Sequence, residues 1–207
     1  MPKTRHLLLG LPLALLLLTG CETMTPNDFK DRTPKLDLFE YFQGQTQAWG
    51  LFEDRFGKVR RQFQVDIQGT VTDGTLTLDE GFRYDDGELA RRVWTIRRDG
   101  PDGYVGQAAD VVGEARGRAA GNALNWAYTM DLPVGGSTWR VIFDDWMFLQ
   151  PGGVMINRAK ITKWGLEIGS VTLFFAKAGP AGASGKECRD RLGAVLGLAM
   201  TWARPVP

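Results

Sequence analysis

Lys58-Val59-Arg60-Arg61-Gln62-Phe63-Gln64-Val65-Asp66-Ile67-Gln68 is the stretch whose reading decides the fold. Val59, Phe63, Val65 and Ile67 fall on one parity, and Lys58, Arg60, Gln62, Gln64, Asp66 and Gln68 on the other. Side chains of a strand point alternately to its two faces, so a period of two marks a half-buried strand. Leu76, Leu78, Phe82 and Tyr84 repeat the pattern opposite Thr75, Thr77, Asp79 and Arg83, and Trp126, Tyr128 and Met130 do so again. Asp73-Gly74, Asp86-Gly87, Gly121-Asn122, Gly135-Gly136 and Gly152-Gly153 separate such runs. Dipeptides of this kind supply the positive φ that tight hairpins need. No window of helical length between residues 45 and 177 carries a 3.6-residue repeat. The expectation is an all-β protein, an antiparallel meander of roughly nine or ten strands. Closing so long a sheet into a barrel removes its exposed edges. An immunoglobulin-like sandwich competes, but its Cys…Trp…Cys spacing is missing and these strands are longer than it needs.

The front of the chain speaks about place. Lys3 and Arg5 precede an apolar run from Leu7 to Leu18, the order of a secretory signal, and the run is too short to span a bilayer. Leu18-Thr19-Gly20-Cys21 resembles the lipobox of bacterial lipoproteins, in which a peptidase cuts before a cysteine that carries a diacylglycerol. On that reading residues 1–20 are the signal, Cys21 is lipidated, and a membrane is the protein's partner through the acyl anchor. Glu22, where an aspartate would retain an enteric lipoprotein at the inner membrane, points to the outer membrane facing the periplasm.

Composition excludes several function classes. Of 25 Lys+Arg and 24 Asp+Glu, loss of Lys3 and Arg5 leaves 23 against 24, which offers no electrostatic footprint for nucleic acid. The single histidine, His6, lies in the signal, so the mature chain hosts neither a Ser-His-Asp triad nor a histidine-based zinc site. With Cys21 acylated, Cys188 stands alone and no internal disulfide framework forms. No cofactor motif and no catalytic set stands out.

Residues 21–35 are polar and aperiodic, which predicts a flexible tether. Leu36, Leu38, Phe39, Tyr41 and Phe42 form an apolar patch, a short helix or first strand packed under the domain. The barrel domain is expected over 36–177. Residues 178–207 make a linker and tail, in which 186–204 could form one short C-terminal helix. Phe56-Gly57-Lys58-Val59-Arg60, Leu76-Thr77-Leu78-Asp79-Glu80, Asp110-Val111-Val112-Gly113-Glu114-Ala115, Asp144-Asp145-Trp146-Met147, Asn157-Arg158-Ala159 and Val171-Thr172-Leu173-Phe174-Phe175 resemble segments of domain-of-unknown-function family 3833. The resemblance covers residues 36–177. It implies an uncharacterised bacterial lipoprotein with a lipocalin-like barrel.

The most informative constellation lies between Trp139 and Lys163. With Pro151-Gly152 as the loop, Asp145 sits opposite Arg158 and Phe143 opposite Lys160. With Pro151-Gly152-Gly153 as the loop, Asp144 faces Lys160 instead. In the first register Asp145 shares an inward face with Trp139, Val141, Phe143, Met147 and Leu149, and Arg158 could hold a ligand carboxylate or phosphate. A structural ion pair on a solvated face is the plainer account. Seven tryptophans and eleven phenylalanines, Trp126 among them, line an apolar ligand cavity or simply fill a narrow barrel. Asp110, Glu114 and Arg116 read as alternating charge on an exposed strand, with Gly113 and Gly117 as bends or bulges. The expected function is binding of an apolar fatty-acid or lipid ligand in envelope lipid homeostasis. Two rivals remain: a structural or assembly module without ligand, and a lipid-modifying enzyme acting through Asp145, Arg158 and Tyr128.

Overall fold

The alternation around Phe63 becomes β2 (Val59–Thr72), with Val65 and Ile67 buried and Gln64, Asp66 and Gln68 in solvent. The structure, a computed structural model, describes residues 23–177. Nine further strands complete the sheet: β1 (Gly44–Asp54), β3 (Thr75–Tyr84), β4 (Leu89–Arg98), β5 (Gly103–Gln107), β6 (Val111–Ala120), β7 (Ala123–Val134), β8 (Ser137–Leu149), β9 (Met155–Lys163) and β10 (Leu166–Lys177). Each pairs antiparallel with its sequence neighbour, and β10 returns to β1 with Trp49 opposite Phe174, so the ten strands close into a barrel. The predicted turns work by the predicted means. Thr72 pairs with Thr75 around Asp73 and Gly74, both at positive φ, the backbone that matches the twist of adjacent strands. Gly113, also at positive φ, lies in the bulge between Val112 and Arg116.

The two ends of the barrel differ. One end is plugged. The apolar patch forms α1 (Leu38–Phe42), in which Leu38, Phe39, Tyr41 and Phe42 are all buried. Asp37 starts it by accepting from the backbone of Phe39 and Glu40 and pairing with Arg98 at 2.7 Å; N-caps of this type typically contribute about 1 kcal/mol. The helix lies so close to β2 that a Cβ on Gly69 would stand 1.8 Å from the Phe42 carbonyl oxygen. From the far side, Lys177 Nζ donates to the carbonyls of Tyr41 and Gln43 at 2.7 and 2.6 Å.

Residues 23–35, expected as a free tether, are docked on the barrel instead. A 3-10 helix at Pro26–Phe29 sets the Phe29 ring 5.2 Å from Phe148 and 6.0 Å from Trp146 on the outer wall at the plugged end. Leu36 then donates its backbone N–H to Gly121. Contact among these three rings holds an aperiodic segment against the wall. The lipobox with Cys21, and the predicted C-terminal helix with Cys188, lie outside the described residues.

At the other end the rim is apolar. Phe56, Leu89, Trp164 and Leu166 are 78, 73, 89 and 65% exposed, and they sit in or beside three different hairpin turns. Val134 and Trp139 join them from the β7–β8 hairpin. Lys163 Nζ stands 3.6 Å from the centre of the Trp139 ring and 4.5 Å from that of Trp164.

Candidate functional site

Inward residues of nearly every strand surround a cavity of about 870 Å³ that opens between the rim hairpins. That volume is in the range of small-molecule sites. Its wall is mostly apolar, with Val65, Ile67, Leu78, Met130, Val141 and Ile161 among the lining side chains. Aromatic rings gather on one side. Tyr128 lies flat on Phe143 with centroids 5.0 Å apart, and Trp94 meets Tyr128 and Trp126 edge-on at 5.4 and 5.8 Å. Trp126 can lie against the wall because β6 offers Gly117 there. A Cβ at that position would come within 2.3 Å of the indole.

A few polar side chains interrupt this lining. Asp145, 7% exposed, accepts from the Tyr128 hydroxyl at 3.4 Å through Oδ2, while Oδ1 has no partner. No cation lies within ion-pair distance of it among the described residues. Burial, with the Asp144 charge behind it, pushes its carboxyl up to about 8. Glu80 faces the cavity opposite Arg92 in the β3–β4 ladder, and burial raises its carboxyl to about 7 against the pull of Arg92. Burial also carries the Tyr128 hydroxyl well above 10, with the Asp145 charge adding to it. Asn157, 1% exposed and lining the cavity from β9, leaves both amide atoms unpartnered. Buried polar groups without partners are costly, and in an open cavity they are where a ligand or water belongs.

Arg92 holds the wall together near the rim. The β4–β5 ladder begins only at Thr95, because β5 is five residues long. Beyond it Arg92 donates through Nε and Nη2 to Asp110 Oδ2 at 3.0 and 2.7 Å, from β4 to the β5–β6 turn. Asp110 is therefore half-buried in an ion pair, not on an exposed strand as expected, whereas Glu114 and Arg116 are exposed and paired with each other.

The structure brings five of the six expected ligand-site residues to the cavity: Trp126, Tyr128, Trp139, Phe143 and Asp145. Arg158 is not among them. Gln150 bonds Val154 across Pro151-Gly152-Gly153, and this three-residue loop sets Asp144 opposite Lys160, Asp145 opposite Ala159 and Arg158 opposite Trp146. Asp145 keeps its inward parity, while Arg158 stands exposed on the outer face. Neither the headgroup role of Arg158 nor a catalytic set of Asp145, Arg158 and Tyr128 is assembled. The cations lining the cavity are Arg92 and, nearer the rim, Arg60 and Arg61; sequence reasoning passed over Arg92 together with Glu80 and Asn157. The signal was available: each is a polar residue on the apolar parity, Glu80 between Leu78 and Phe82, Arg92 two before Trp94, Asn157 between Met155 and Ala159.

The model of the family described as proteins of unknown function, DUF3833, matches residues 15–177. The chain belongs to that family. No curated protein matches it. Among solved structures, the S-type phycobiliprotein lyase CPES from Guillardia theta is similar, with a TM-score of 0.51 at 9% sequence identity. The similarity covers 69% of this chain and 91% of the lyase. At that identity the likeness is one of fold: a lipocalin-like closed barrel.

Proposed function

We propose that this DUF3833 protein is a membrane-anchored lipoprotein facing the periplasm, whose barrel carries an apolar, acyl-chain ligand in envelope lipid homeostasis. The observation that carries the reading is the apolar cavity of about 870 Å³, plugged by α1 at one end and open at the other. A filled barrel would serve a structural module equally well; an unfilled one exposes apolar wall that a chain would cover at about 25 cal/mol per Å². The apolar rim supports the same reading, because a chain passing from an apolar surface to the cavity meets Phe56, Leu89 or Trp164 first. Anchoring rests on the sequence: the leucine run and Leu18-Thr19-Gly20-Cys21.

The test is to purify the full mature chain carrying Cys21→Ser without detergent, extract it with organic solvent and analyse the extract by mass spectrometry. A stoichiometric amphiphile, displaced competitively by a fluorescent fatty acid, is expected. An empty protein that binds no such probe removes the carrier reading. The anchor is tested separately: metabolic palmitate label should vanish from Cys21→Ser, and persistence of label would exclude acylation at that thiol.

A further inference from the structure

We infer that the β7–β8–β9 wall of the cavity is an ammonium site, so that the carried amphiphile bears a primary amine. The inference rests on the carrier reading and deepens it. Asp145 and Asn157 are diagonal neighbours on the inner face, since Asp145 pairs with Ala159 and Asn157 with Met147. Inner-face diagonals are roughly 7–8 Å apart at Cα, within reach of one small group lying between them. Two acceptors there have no partner, Asp145 Oδ1 and Asn157 Oδ1. An ammonium brings donors and no acceptor, which matches what this wall lacks.

The surroundings favour a cation over the alternatives. Trp126 lies directly opposite Asp145 in the β7–β8 ladder, with Tyr128, Phe143 and Trp94 beside it. Aromatic rings gathered beside a carboxylate favour a desolvated cation. A ligand carboxylate at this wall would meet Asp145 and Glu80, while the arginines that line the cavity are already paired, Arg92 with Asp110, Arg61 with Asp86 and Glu88, and Arg60 with Asp54. A neutral hydroxyl brings one donor for two unpartnered acceptors, Asp145 Oδ1 and Asn157 Oδ1. Asn157 Nδ2, also unpartnered, suits an oxygen next to the amine.

The charged groups that act on Asp145 are Glu80 from β3, Arg92 from β4, and Asp144 on its own strand, and it bonds the Tyr128 hydroxyl on β7. Binding an ammonium favours the ionised carboxyl, so amine affinity should rise with pH between 6 and 8.5, as Asp145 sheds its proton near 8. An alkylamine stays protonated through that range, its ordinary value being close to that of lysine, about 10.4.

The experiment measures displacement of anilinonaphthalene sulfonate from the full mature Cys21→Ser chain by dodecylamine, dodecanol and dodecanoate, at pH 6 and 8.5. Dodecylamine is expected to bind at least about tenfold tighter than the other two at pH 8.5, a factor worth about 1.4 kcal/mol. In Asp145→Asn that preference should vanish while dodecanol affinity is retained. Retention also certifies that the variant is folded, and Asn157→Leu should weaken the amine in the same selective way. Equal affinity for all three in the wild type, or dodecanoate binding tightest, overturns the ammonium site and leaves the carrier reading standing. If none of the three displaces the dye, the carrier reading falls with it.

Discussion

Asp145 shows how one residue can be costly to the fold and useful to a site. Its carboxyl is buried, half-partnered and pushed up to about 8, against an ordinary value of 3.8. Between those values the folded state holds a proton that the unfolded chain has lost. Stability therefore falls as pH rises from about 4 to 8, and the penalty is complete above 8. Asp145→Asn removes the penalty. The variant should be more stable than wild type by about 2–4 kcal/mol at pH 9 and nearly equal to it at pH 4. Urea denaturation across pH checks this, and parallel pH curves for the two proteins would contradict it. The inward parity of Asp145 was legible because parity needs only the alternating run around it. Its cross-strand partner was not. The two loop lengths at Pro151 exchange the partners of every β8 residue, and Gly152 and Gly153 both tolerate the positive φ they adopt. Arg92 and Glu80 were illegible as a pair for another reason: they meet across the β3–β4 ladder, and neither belongs to an exceptional motif.

At the scale of elements, hairpins were the most readable feature and docking the least. Turn dipeptides and period-two runs are local, so ten strands and their order could be approached from the sequence. The docking of residues 23–35 depends on Phe29 finding Phe148 and Trp146 across the fold, which no period announces. Two elements invite perturbation. At the plugged end, Gly69→Ala cannot be accommodated beside the Phe42 carbonyl without moving α1. It should cost about 2–4 kcal/mol, the range of overpacked or displaced core contacts, and thermal denaturation reads it. At the rim, Trp164 and Gly165 form the β9–β10 turn with φ of 53 and 79°, and an 89% exposed tryptophan occupies a backbone region that suits asparagine. A strained, solvent-facing aromatic is more readily explained by contact than by folding. Trp164→Asn should raise stability by about 0.5–1 kcal/mol while slowing uptake of a fluorescent fatty acid from donor vesicles. Faster or unchanged uptake would deprive the rim of that role.

On the proposed anchoring at Cys21, the whole molecule sets the anchor and the mouth against each other. Phe29 is held on the outer wall at the plugged end, and Cys21 precedes Pro26 by five residues. Five residues reach at most about 18 Å fully extended. The thirteen residues of β8, at about 3.3 Å each and tilted by about 40°, make the barrel wall about 30 Å tall. An acylated Cys21 therefore cannot lie in the plane of the rim. On the proposed acylation of Cys21, the plugged end is expected to face the anchoring leaflet and the mouth to point into the aqueous compartment. Ligand exchange then takes place with a carrier or surface on the far side, not with the lipids around the anchor. The prediction is testable in the lipidated protein carrying Cys188→Ser, reconstituted in vesicles with nitroxide-labelled headgroups. A fluorophore attached through Pro151→Cys, in the β8–β9 turn at the plugged end, should be quenched strongly. One attached through Phe56→Cys, at the rim, should be quenched little. The opposite order would place the mouth on the anchoring leaflet, which the docked helix at Pro26–Phe29 permits only if it detaches from Trp146 and Phe148.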